Sequence, residues 1–153
     1  MLAAGDVADA RQTFEASVAA MRKAAVADPD SEAAARDLAL ELGKLSFAIR
    51  TQNDPLSADA PAAEALGISR RLVLAHPGSP NAQADLVFAL GRYGDLRFAQ
   101  HDAVGAGAAY AEALRIAKAL ARAQPAAITL ARSVGELSAK LANTPGAGPG
   151  PAR

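Results

Sequence analysis

A 48-residue spacing runs through this chain without a gap, and it constrains the fold more than any other feature. Asp6, Asp54 and Asp102 stand in phase, as do Pro29, Pro77 and Pro125. Ala10, Ala58 and Ala106 follow the same period, with Ala27, Ala75 and Ala123. Residues 5–52 and 53–100 share 12 identities in 48 positions, among them Arg22/Arg70, Asp37/Asp85, Leu38/Leu86, Leu42/Leu90 and Gly43/Gly91. Alanine-rich chains match one another by accident, but accident does not readily set Asp and Pro in phase three times. A fixed period of this kind is the signature of a repeat architecture.

Each unit carries two apolar patterns of helical period. One precedes the proline, as in Ala106, Tyr110, Ala113, Leu114, Ala117 and Leu120; the other follows it, as in Ala82, Leu86, Leu90 and Tyr93. The patterns predict six helices, over 7–27, 31–51, 55–75, 80–99, 103–123 and 127–142, and no strand. Prolines at 29, 77 and 125 end the helices before them, because proline lacks an amide hydrogen and clashes with the previous turn. Gly5, Asn53 and His101 occupy one repeat position, and all three types tolerate positive φ, so each is expected to close a preceding helix. The Asp that follows can cap the next helix, with Pro55 at its first position, and Ser79-Pro80 repeats that logic. Arg22 and Asp37 are equidistant from Pro29, and Arg70 and Asp85 from Pro77. An ion pair across each hairpin is therefore expected. Short connections make neighbours antiparallel. Two such helices cannot bury their apolar faces alone, so stacking into a superhelical solenoid is expected.

The run Leu90-Gly-Arg-Tyr-Gly94-Asp, followed by His101-Asp102, Ala106, Tyr110 and Ala113-Leu114, resembles a tetratricopeptide repeat. Gly94, Ala106, Tyr110 and Ala113 match that family's small, small, aromatic and small positions. The preceding unit has Ser46, Ala58, Ala62 and Ala65 there, without the aromatic, and the first has Ala10, Phe14 and Ser17. The family's usual period is near 34 residues, and the longer one here is similar to arrays in large bacterial signalling proteins. The resemblance covers about residues 5–143. It implies an all-α tetratricopeptide-like solenoid over 1–143, followed by a disordered Pro/Gly-rich tail over 144–153.

Composition excludes several function classes. Sixteen basic and sixteen acidic residues cancel, so there is no basic stripe for nucleic acid. There is no cysteine, hence no disulfide framework and no thiol chemistry. The N-terminus lacks a charged region followed by an apolar run, and no apolar stretch approaches a membrane span. A cytoplasmic location is expected. His76 and His101 lie 25 residues apart at helix ends without clustered carboxylates, which suits turns better than a metal site. Gly105-Ala-Gly107 follows no strand and lacks the Lys-Ser/Thr of a phosphate loop, so it is expected to be a glycine-containing helix start. An enzyme on a helical bundle needs convergent acid, base, nucleophile or metal ligands, and the sequence offers none. No catalytic residue, metal or cofactor is expected.

The expected function is non-enzymatic: a scaffold that binds a protein or peptide segment in a concave helical groove. In the family, the first helix of each repeat lines that groove. Carrying this over points to Leu40, Phe47 and Arg50 in one unit, Phe88, Asp95 and Phe98 in the next, and Glu136 in the last. Aromatic groove residues are candidate hot spots; the same spacing also suits phenylalanines packed against neighbouring helices. The family's basic clamp for chaperone carboxylates is not expected, because Gly43, Phe47 and Glu136 are the wrong residues for it. The alternative is that the chain is a C-terminal piece, or a regulatory subunit, of a larger bacterial signalling protein, since it begins inside a repeat. The first helix would then present apolar surface on its outer side, for self-association or for missing upstream repeats.

Overall fold

The computed structural model describes residues 4–146, with side chains from residue 9 onward. It holds six helices: α1 (Ala4–Ala27), α2 (Glu32–Thr51), α3 (Asp59–Ala75), α4 (Pro80–Ala99), α5 (Ala103–Ala123) and α6 (Ile128–Ala142). Among the described residues there is no strand. Each helix packs on its neighbours in sequence as antiparallel hairpins, and α2 also packs on α4.

The turn chemistry follows the repeat. Ser31 and Ser79 cap α2 and α4, accepting from the amides of Ala34 and Ala82 at 3.2 Å each. Their counterpart before α6 is Ala127, which makes no side-chain cap. Pro80 sits in the first turn of α4, where its missing amide costs nothing. Asn53 and His101 have φ of 59° and 61°, the left-handed conformation expected of residues that close a helix. Gly5, by contrast, lies inside α1 and closes nothing. Asp102 caps α5 through Gly105 N at 2.8 Å. A Cβ at Gly105 would lie 2.2 Å from the Asp102 Oδ2, so this glycine makes room for its own helix cap.

Two helix starts moved. Helix α1 begins at Ala4 rather than at Val7, and helix α3 begins at Asp59 rather than at Pro55. Asp54 still caps locally, accepting from Ser57 N at 3.1 Å, and the Ser57 side chain first, then this amide, hold its carboxyl below the usual range. The turn it starts does not become regular helix. Pro61 is the reason: it has no amide to give to the carbonyl of residue 57, and its ring crowds that carbonyl.

Two apolar clusters form the core. One joins Val18, Leu38, Leu42, Leu45 and Ile49 to Ile68, Leu72 and Leu96. The other gathers Leu86, Leu90, Tyr110, Leu120 and Leu137 around buried alanines of α5. Val73 and Tyr93 pack against both. Leu42 and Leu90, at one repeat position, are 0% and 1% exposed. In α1, Phe14, Val18 and Met21 face the core. Its outward face carries exposed alanines with Gln12, Glu15 and Lys23. Val26 is the one large apolar residue exposed on it among those described, so the broad apolar face expected there is mostly alanine methyls. Thr144 is buried, and its hydroxyl donates to Lys140 O at 2.8 Å. The rest of the Pro/Gly-rich run, beyond Gly146, lies outside the described residues.

The expected pairs Arg22–Asp37 and Arg70–Asp85 do not form. Arg22 pairs with Glu64, and Arg70 with Glu112 at 2.7 Å. Asp85 takes Arg36 instead, at 2.6 Å, an interaction that holds the Arg36 guanidinium above its usual range. Equidistance from a turn sets two residues level along the helix axes but does not fix which way each side chain points. Arg22 and Arg70 point to the next unit, and both reach the residue 42 positions on. The charges therefore tie unit to unit.

Among the described glycines, Gly94 has the tightest contact with another helix: a Cβ there would lie 2.5 Å and 2.7 Å from the Cε1 and Cδ1 of Tyr110. Gly94→Ala should cost about 1–3 kcal/mol by overpacking. In a Tyr110→Ala background the same change should become neutral or stabilising, since alanine favours helix over glycine by about 1 kcal/mol. Denaturant unfolding of the four proteins measures that reversal of sign. For Arg70 and Glu112, whose side chains are 51% and 33% exposed, a double-mutant cycle should give a coupling of at most about 1 kcal/mol.

Candidate functional site

Helices α2 and α4 lie side by side and present one repeat position after another to the same face. Leu40, Phe88 and Glu136 are equivalent, as are Phe47 and Asp95, and Arg50 and Phe98. Leu40, Phe47, Phe88 and Phe98 are between 45% and 49% exposed, the level of side chains that pack on one edge and meet water on the other.

A stacked row organises this face. Arg92 lies over the Phe88 ring at 4.5 Å and over the Phe47 ring at 5.1 Å, and Arg50 lies over the other part of the row, 5.2 Å from the Phe47 centroid. Arginine is suited to this because its guanidinium is planar and weakly hydrated. The Arg92 Nη1 reaches Gly43 O at 3.5 Å, while its buried Nε has no hydrogen-bond partner among the described residues. Burial lowers its affinity for a proton, opposed by Asp95 and reinforced by Arg50.

Asp95 does not stand free at a rim. Its Oδ1 accepts from the Tyr110 hydroxyl and from Lys140 Nζ, both at 2.7 Å, and its Oδ2 accepts from Lys140 at 2.8 Å. Burial first, and then the bond to Asp95, push the Tyr110 phenol well above its ordinary range. Asp95 thus pins α4 to α5 and α6.

The structure brings Leu40, Phe47, Arg50, Phe88, Asp95 and Glu136 around Arg92, across adjoining hollows between α2, α3, α4 and α6. Phe98 lies apart, lining none of these hollows. Arg92 and Lys140 are the residues that sequence reasoning missed. The signal was available: Lys44, Arg92 and Lys140 place a cation at one repeat position in all three units. His101 serves the turn through its backbone, and His76 Nε2 lies 3.5 Å from Glu32 Oε2. No group of three or more His, Cys, Asp or Glu able to hold a metal occurs among the described residues. No described helix is long and apolar enough to cross a membrane. Comparison of the chain with protein-family models, curated proteins and solved structures returns no match.

Tyr110→Phe removes only the hydroxyl bonded to Asp95 and should cost about 1 kcal/mol near neutral pH. In the unfolded chain this phenol ionises near 10.0, while the fold holds its proton to higher pH. The contribution is complete below pH 10.0 and is lost as pH rises through the folded value. Wild type should therefore lose its advantage over Tyr110→Phe at alkaline pH. Unfolding free energies across a pH series test this, and parallel curves would contradict it.

Proposed function

We propose that the protein is a non-enzymatic scaffold that binds a segment of a partner protein on the α2–α4–α6 face. The observation that carries this reading is the row of half-exposed Leu40, Phe47 and Phe88 threaded by Arg50 and Arg92. Aromatic and arginine side chains dominate protein-binding hot spots because they bury much area with little ordering cost. Here the arginines are already ordered by stacking, which lowers the cost of binding further. The resemblance to tetratricopeptide arrays, in which this helix lines a concave solenoid groove, supports the same face. The same resemblance supports a bacterial, cytoplasmic setting.

The test is selection of a random peptide library on the intact chain. Enriched peptides should shift amides of α2 and α4. They should lose about tenfold or more in affinity to a Phe47→Ala/Phe88→Ala variant that keeps its helical circular dichroism. Phe98→Ala, outside the row, should change affinity little. No enrichment, or equal binding to the double variant, would sink the reading.

A further inference from the structure

The 48-residue repeat allows two cavities to be compared position by position. In the third unit, Tyr110 fills the space between α4 and α5, with Gly94 beneath its ring. Its hydroxyl donates to the Asp95 carboxylate, which also accepts from the ammonium of Lys140. In the second unit the corresponding residues are Ala62 for Tyr110, Ser46 for Gly94, Phe47 for Asp95 and Arg92 for Lys140. The cation is kept, but the ring and the carboxylate are both gone. A cavity of about 190 Å³ opens there, with Ser46, Ala62, Ala65 and Ser69 in its wall and Arg92 among its lining residues.

We propose that this cavity is a binding site for a small aromatic carboxylate, its ring over Ala62 and Ala65 and its carboxylate on Arg92. The volume suits one ring with a short side arm, since an apolar cavity of about 150 Å³ holds benzene. The charge suits an anion. Arg92 has a buried Nε without a hydrogen-bond partner among the described residues, and a carboxylate matches a guanidinium fork. Stacking between Phe47 and Phe88 keeps that guanidinium in place before any ligand arrives. Two carboxylates also line the mouth. Asp85 is neutralised by Arg36 at 2.6 Å, and Asp37 is exposed, where water screens it. The Ser46 and Ser69 hydroxyls already donate to Ala58 O and Ala65 O, and Arg36, which also lines the cavity, is engaged by Asp85, which leaves Arg92 as the cation for the anion. This site lies beneath the face assigned to a partner segment and does not depend on that assignment.

The experiment is a nuclear magnetic resonance titration of the intact chain with 3-phenylpropanoate and, separately, with neutral 3-phenylpropanamide. The acid should shift the amides of Ala62, Ala65 and Ser69 and the Arg92 Nε–H saturably, with a Kd on the order of a millimolar or tighter. The amide should bind about tenfold more weakly, because it cannot form the charge-assisted pair. Ser46→Gly/Ala62→Tyr, which copies the third unit, should abolish the shifts. Should that variant not fold, the acid-against-amide comparison decides on wild type alone. Equal binding of acid and amide, shifts confined to other helices, or no saturable shift up to the solubility limit would each overturn the proposal.

Discussion

The ring of Tyr110 rests on a glycine, and that close approach shapes the molecule well beyond α4 and α5. Gly94 lets the two helix axes come near enough for the ring to be 3% exposed. The hydroxyl then reaches Asp95, and Asp95 in turn holds Lys140 of α6. One small residue therefore fixes three helices at once. Where the same position is Ser46 and the ring is absent, the helices enclose a cavity instead. A full and a hollow version of one interface stand side by side in the chain.

Most long-range ion pairs described join one 48-residue unit to the next, as Arg22–Glu64, Arg36–Asp85, Arg70–Glu112 and Asp95–Lys140 do, whereas Arg97–Asp59 lies within the second unit. Most are partly exposed, so their individual contributions to stability are small. Their value is in register. Apolar alanine-rich faces slide past one another with little change in contact area, whereas a misaligned charge finds water or a like charge. The buried leucines supply the attraction, and the charged rows select one alignment.

Much of this was legible in the sequence because it is local chemistry. Prolines 29, 77 and 125, the caps Ser79 and Asp102, and the left-handed Asn53 and His101 each act within a few residues of themselves. They placed six helices, with only the starts of α1 and α3 displaced by more than a residue, and the latter turned on Pro61, a residue outside the repeat pattern. What remained hidden was azimuth. Whether Arg22 turns toward Asp37 or toward Glu64 depends on how units rotate relative to one another, which no single turn encodes. The same blindness concealed Arg92, whose importance comes from Phe47 on another helix. Only the recurrence of a cation at 44, 92 and 140 hinted at it.

The offset of 42 residues in the pairs Arg22–Glu64 and Arg70–Glu112 bears on how such a chain can lengthen. The middle unit carries the acceptor for the arginine before it and the donor for the glutamate after it. A tandem duplication of residues 53–100 would place Arg70 of the first copy against Glu64 of the second, and Arg70 of the second against Glu112. The new junction would inherit a matched pair, the old one would keep its own, and the Asp59–Gln100 arrangement would be carried along within each copy. The architecture can thus grow by whole modules through gene duplication, with the rule for joining them already written into each module's two edges.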